Sequence, residues 1–528
     1  MSAGCHHPGP VRAGAQARPV VGPAAAGLRR AARAPLSFVA AAGFCAALAA
    51  GQESAREALL LTGARVLDVA AGQYLNTAAV LVDGDRIVAL FNEAPPSPPP
   101  RTRVIDVKGL TLVPGLGDMH AAASPGDEAD ADYFHAMGLA HGVTLYRVLD
   151  VPLPWAVSQR ERISAGVAVA PRLYTSGPGL DGPPAFGFNV LTVRDADAAR
   201  REARAQVRST VDWISVGGQA PEEIVSAVID EAAKGPGKDQ AKGGAAGAAR
   251  GGGRAASRAG SSAGPSSTTG RQPVRVAVAA GVVPMLAIVK LGAHSIEGLG
   301  MPVRTRAEYE TALAGKPFPE SGAAGALAFI WEQAPAADLK ALTVALARGG
   351  TALVPRLAGS VVAPRPADLE RDPALPYLPD ARRTRLLARP TAGPADAVKD
   401  QYAKAYAAQA RFVADVVRAK GIVATASDWS GPGYSVPGAA IHRELKLLVE
   451  AGLKPADAIR AATLNAATLV GAGGSLGQIK IGYKADLIAV EGDPLARIED
   501  LARIRLVVRR GESFTPAILL AQAKRALR

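Results

Sequence analysis

Hydrophobic positions gather in short β-rich runs at 59–61, 64–69, 78–82, 86–90 and 104–107, separated by polar turn residues, which predicts β-strands. Asp83-Gly84-Asp85 predicts a tight hairpin between two of them. The run PPSPPP at 95–100 admits only an exposed loop or a short polyproline rod. From 115 the pattern changes. Strand-length apolar runs at 115–119, 143–148, 172–176, 212–216, 275–279, 294–297, 352–355 and 423–427 alternate with helical spacing at 130–140, 195–209, 221–233, 335–347 and 396–420. Pro221 and Pro335 suit a first helical position, where the missing N–H costs nothing. Strands alternating with helices call for a parallel sheet, and eight of them over roughly 350 residues fit a (β/α)8 TIM barrel. A doubly wound open sheet is the competing α/β architecture, but no glycine-rich phosphate loop opens any of the helices. Runs at 476–490 and 504–508 return to strands with turns, and 516–527 has helical spacing suited to packing on the surface.

The formal net charge of +13 raises nucleic acid as a partner. Its location answers the question. Residues 1–52 carry five arginines and no acid, and 234–271 carry seven Lys/Arg against one acid. The remainder is nearly neutral and offers no basic face with an aromatic platform, which argues against nucleic-acid binding. The 234–271 stretch is low-complexity and almost free of large apolar side chains, so it is expected to be a disordered insertion. It follows a helix and precedes a strand, which puts it at the face opposite the ligand-binding ends of parallel strands.

Arg29, Arg30 and Arg33 precede an apolar run at 34–50 and the small-residue Ala47-Leu48-Ala49, the layout of a secretory signal peptide over residues 1–50. The expected location is therefore periplasmic or secreted; an organelle transit peptide and an overlong start are the rival readings. The alanine-rich run is short and weakly hydrophobic for a stable membrane span. Both cysteines, Cys5 and Cys45, fall in this leader, so a processed chain has no disulfide, thiol nucleophile or cysteine metal ligand.

The stretch TLVPGLGDMHAAASP at 111–125 joins a strand to a turn and then to a histidine, His120. It resembles the amidohydrolase superfamily of metal-dependent hydrolases, whose first barrel strand reads PGLIDxHxH. The segments HRELKLLVEAGLKPADAIRAATLNAATLVG at 442–471 and LGQIKIGYKADLIAVEGDPL at 476–495 are similar to its imidazolonepropionase-like and prolidase-like branch, and HGVTLYRVLD at 141–150 and APRLYTSGPGL at 170–180 add to the likeness. The resemblance covers roughly 58–500 outside the insertion. It implies a TIM barrel over 114–470 and a small composite β-sandwich made by 56–113 with 471–528, the latter including a C-terminal helix. It also implies hydrolysis of non-peptide C–N bonds in cyclic amides, or of dipeptides.

In that family a metal centre is built from the two strand-one histidines, a carboxylated lysine on strand four, one histidine each on strands five and six, and an aspartate on strand eight that doubles as general base. By resemblance His120 and Asp428 keep two of these roles, with Asp428 also the catalytic candidate. Ala122, Ser215, Ala279 and Gly298 stand at the other four. A catalytic zinc needs about three protein ligands and an open position, so the expected cofactor is none, or one weakly held divalent metal, zinc if any. His294 lies too far down its strand to meet His120; Asp127 and Glu128 read as loop acids, Ser124 as a turn residue, and His135, His141 and His442 as packing residues on helices. The replaced positions predict a roomy, mostly apolar mouth. The expectation is a catalytically impaired amidohydrolase or pseudoenzyme. An active hydrolase with a reduced single-metal site, and a non-catalytic small-molecule binding or assembly protein, stay open, as does a homo-oligomer.

Overall fold

The computed structural model describes residues 57–527 except 94, 96, 122–127, 186, 188, 210, 236–272, 314–321, 361–368, 389–395 and 429–435. The leader, the basic insertion from 236 onward, Ala122, Ser124 and Asp127 lie outside the described residues, while Lys234 ends a helix.

The fold is mixed α/β. Parallel strands whose two faces are both covered read as continuous apolar runs, and Val143–Val148 is buried at every position. It pairs in parallel with Leu116–Ala121 on one side and Arg172–Thr175 on the other. A second set of parallel strands runs in the order Val190–Thr192, Gly179–Asp181, Trp213–Val216, Arg275–Ala279, Ser295–Glu297 and Ala352–Val354. A parallel bridge from Ser176 to Trp213 joins the two sets. At the other end Leu353 bridges Val423, and the Met119 N–H donates to the Thr425 carbonyl at 2.9 Å.

The expected strand at 423–427 is thus an extended segment with a single bridge rather than a regular strand. Part of its pairing is made by side chains: the Ser427 N–H donates to Asp118 Oδ1 at 2.9 Å, Ser427 Oγ donates to Asp118 Oδ2, and Thr425 Oγ1 donates to the Gly117 carbonyl. Two strands absent from the sequence reading, Gly179–Asp181 and Val190–Thr192, are only three residues long, too short to show a period.

Met119, Leu145, Trp213, Ala277, Val354, Ala424 and Ala426, drawn from six of these segments, share one buried cluster. A larger cluster lies between the strands and the helices, among them Glu128–Ala140, Ala196–Arg208, Glu222–Lys234, Ala336–Gly349, Asp396–Arg418 and Ala440–Glu450. Pro221 and Pro335 sit one position before their helices rather than inside them, in extended backbone that proline's fixed φ also suits. The C-terminal helix Pro516–Ala526 packs on Glu128–Ala140 and buries Leu519 and Ala523.

The remaining strands form two further sheets, in the orders Arg86–Phe91, Ala79–Asp83, Ala58–Thr62, Thr102–Asp106 and Glu512–Phe514, Ile504–Arg509, Leu487–Glu491, Leu110–Pro114, Arg65–Asp68, Gln73–Leu75. The second sheet interleaves N- and C-terminal strands, and both sheets contribute to one cluster around Leu59, Val80, Leu112, Leu487 and Val508. Within 476–490 only Leu487–Glu491 is strand, since the rest turns twice around Gly477 and Gly482 at positive φ. The hairpin at 83–85 forms as the sequence predicts, with Asp83 opposite Arg86 and Gly84 at φ 55°.

Candidate functional site

Parallel strands present their C-terminal ends as a common rim, where ligands bind in α/β folds. Here that rim carries charge. Arg147 is fully buried in Val143–Val148, and a buried charge must be paired. Its Nη2 donates to Glu297 Oε1 at 2.6 Å, its Nη1 to Ser295 Oγ at 2.9 Å, and its Nε to the Met119 carbonyl at 2.5 Å, while the guanidinium lies 4.5 Å from the Trp213 ring centroid. Ser295 and Glu297 are two residues apart on one strand and so share a face; Ser295 Oγ donates to Glu297 Oε1 at 2.6 Å. The second oxygen, Glu297 Oε2, meets His120 Nδ1 at 3.0 Å. Burial alone would raise the Glu297 pKa, but the Arg147 guanidinium and the His120 contact outweigh it and bring it down to about 2.

A second ion pair stands beside the first. Arg356, just past Ala352–Val354, directs Nε at 3.0 Å and Nη2 to the same oxygen, Asp428 Oδ2. The Asp428 N–H in turn donates to the His120 carbonyl at 3.2 Å. Beneath Arg356, Glu444 from Ala440–Glu450 accepts from the Leu357 and Ala358 N–H groups at 3.1 and 2.7 Å, and burial pushes its carboxyl up to about 8. Asp150 completes the group. Burial raises its pKa against the opposing pull of His120, a Ser215 hydrogen bond and Arg356, and its Oδ1 is buried without a hydrogen-bond partner.

Asp150, Arg356 and Asp428 each end a different strand or strand-like segment, and all three have left-handed backbone, with φ of 56°, 55° and 38°. That conformation costs a non-glycine residue of order 1–2 kcal/mol, and such positions gather at functional sites.

His120, Asp428 and Ser215 therefore come together, and the mouth is not the apolar cavity that the four replaced positions predict. Arg147, Arg356 and Glu297 make it charged. Ala279 ends Arg275–Ala279, opposite Glu297 in the ladder, and has no donor to offer. Gly298 is at φ 79°, with nothing within 4 Å of where a Cβ would stand, so the backbone there now disfavours any side chain. Glu128 opens the helix Glu128–Ala140. His294 takes no part: its Nδ1 accepts from the Val276 N–H at 3.1 Å and its ring is edge-on to Trp213. His135 contacts Gln159, His141 the Met137 carbonyl, and His442 the His141 carbonyl.

A metal centre needs lone pairs converging on one point. The two residues to which the resemblance assigns a ligand role instead address protein partners, His120 to Glu297 and Asp428 to Arg356. Among the described residues no group of three or more His, Cys, Asp or Glu is placed to hold a metal ion. The described residues do not fit the metal centre that the resemblance implies.

Residues 407–513 match the family model described as the amidohydrolase family. Over 67 residues the chain is 45% identical to ochratoxinase of Aspergillus niger, a match spanning 12% of this chain and 14% of that relative's length. Among solved structures, a putative prolidase from Bifidobacterium longum superposes with a TM-score of 0.59 at 22% identity, covering 90% of this chain and all of that one. A Xaa-Pro dipeptidase with bound methionine gives 0.57 at 19%, covering 87% of this chain and 100% of that one. The Aspergillus niger ochratoxinase structure gives 0.56 at 17%, covering 87% and 95%. These structural likenesses carry the fold.

Proposed function

We propose that the chain is a metal-independent member of the amidohydrolase superfamily, whose family model matches residues 407–513, and that its strand-end site no longer runs the family's two-metal hydrolysis. The single observation that supports this reading is that Arg356 occupies Asp428, the carboxylate that would bind metal and act as base. A guanidinium is a permanent cation, and its charge opposes a metal ion at the same oxygen.

In this reading the parallel strands close into a (β/α)8 barrel through the Ser176–Trp213 and Leu353–Val423 bridges and the Met119–Thr425 hydrogen bond. The two other sheets form one composite sandwich around their shared cluster. The leader's arginines and apolar run support export to the periplasm or beyond. No helix among the described residues is long and apolar enough to cross a membrane.

Metal content of the purified protein, measured together with hydrolysis of cyclic amide, lactone and dipeptide panels with and without added zinc and chelator, tests the proposal. We expect substoichiometric metal and no chelator-sensitive turnover. Two bound metals per chain with chelator-sensitive hydrolysis would refute it, and a single stoichiometric zinc lost in Asp428→Asn would establish the reduced mononuclear site instead.

A further inference from the structure

We propose that the rim formed by Arg356 and His120 is an anion-recognition site that binds the carboxylate of a small organic acid. The proposal rests on the metal-free reading above and names the ligand class of the same site.

A metal centre is a ring of acceptors around a cation, and here the order is inverted. The acidic members of the network lie underneath: the side chains of Glu297 and Asp428 are 1% and 4% exposed, each beneath its basic partner. The nitrogen-bearing members reach solvent, Arg356 at 24% and His120 at 13%. A ligand approaching the strand ends therefore meets a guanidinium and an imidazole first.

Arg356 has capacity to spare. Its Nε and Nη2 converge on one oxygen, Asp428 Oδ2, and among the described residues no hydrogen bond is made by Nη1. Arg147 does not offer this, because its three nitrogens donate to Met119, Ser295 and Glu297 and its side chain is fully enclosed. Planar guanidinium matches the two oxygens of a carboxylate better than a neutral carbonyl or a cation does.

The group is also held in advance. Glu444 anchors the turn that follows Arg356 through two backbone N–H bonds, and Asp428 fixes the guanidinium plane, so little ordering cost falls on the ligand. Asp150 Oδ1 is buried in the same network without a hydrogen-bond partner. Ser215 reaches the cluster through its hydrogen bond with Asp150.

Calorimetric titration of the full chain with benzoate, benzamide and benzylamine compares one ring size in three charge states. We expect benzoate to bind at least about tenfold tighter than the other two, a gap near 1.4 kcal/mol, and Arg356→Met to abolish that preference while Arg356→Lys keeps part of it. Should Arg356→Met not fold, the wild type still decides: a tenfold rise in salt should weaken benzoate several-fold and leave benzamide unchanged. Equal binding of benzoate and benzamide, no benzoate binding, or full benzoate affinity in Arg356→Met overturns the proposal. Metal content of the same sample separates the two readings, since metal-free protein without benzoate preference sinks only the ligand class, whereas stoichiometric metal sinks the reading beneath it.

Discussion

Arg356 grips Asp428 through a single carboxylate oxygen, Oδ2, with Gly359 pressed against the same carboxylate. A Cβ at Gly359 would stand 2.6 Å from Oδ2 and 2.8 Å from the Asp428 Cβ. That proximity makes the pair sensitive to one methyl group.

Two glycine substitutions separate crowding from backbone strain. Gly359 has no positive φ, so Gly359→Ala acts by displacing Asp428, at a cost of ~1–3 kcal/mol typical of overpacking. Gly298 is at φ 79° with open space around it, so Gly298→Ala should cost ~1–2 kcal/mol through the backbone alone. Urea denaturation measures both. Benzoate titration tells them apart, because only Gly359→Ala should weaken it.

The Arg147–Glu297 pair gives a prediction that does not depend on any ligand. Both side chains are buried, and removing Arg147 leaves Glu297 with only His120 and Ser295 against its buried charge. Arg147→Met should destabilise by ~3–5 kcal/mol. The double variant Arg147→Met with Glu297→Leu should recover a large part of that loss, since an apolar replacement of the whole pair leaves no orphaned charge. Double-mutant denaturation curves check it, and strict additivity would show that the two groups do not act as a unit.

The likeness of the segments around His120, of DWISV and of ATASDWSG to the family's strand ends is what made His120, Ser215 and Asp428 legible as neighbours. Arg147 and Glu297 were legible in principle. Each is a charge inside a run otherwise buried on both faces, VTLYRV and SIE, and two such charges of opposite sign predict each other. Arg356 carried no comparable signal: it follows a three-residue strand, and its setting is made by Asp428, 72 residues away, and by Glu444 bonds to Leu357 and Ala358 that span 87 and 86 residues. The strand pattern was legible wherever apolar runs were long; it overreached at 423–427, where side-chain bonds to Asp118 stand in for a ladder.

Acid should weaken the protein through a buried histidine. Burial pushes His442 down to about 3, so the folded state holds it neutral while the unfolded chain protonates near 6.5. Its contribution is present above pH 6.5 and is lost as pH falls toward 3. His442→Gln, which keeps a polar group near the His141 carbonyl, should flatten this limb of the Tm against pH curve.

Glu444 acts in the opposite direction and at higher pH. Its folded pKa of about 8 lies above the ordinary 4.5, so between those values the native state holds a proton that the unfolded chain has released. Stability from this group is full below pH 4.5 and declines as pH rises through 8. The Leu357 and Ala358 N–H bonds favour the ionised carboxylate, so they persist through this titration and the loss of stability comes from burying the charge. Glu444→Gln removes the ionisation while keeping the shape, so its Tm should be lower at pH 5 through one lost backbone bond and nearly level from pH 5 to 8. A wild-type Tm that instead climbs across that interval, or a Glu444→Gln curve parallel to it, would remove Glu444 as the group that titrates beneath Arg356.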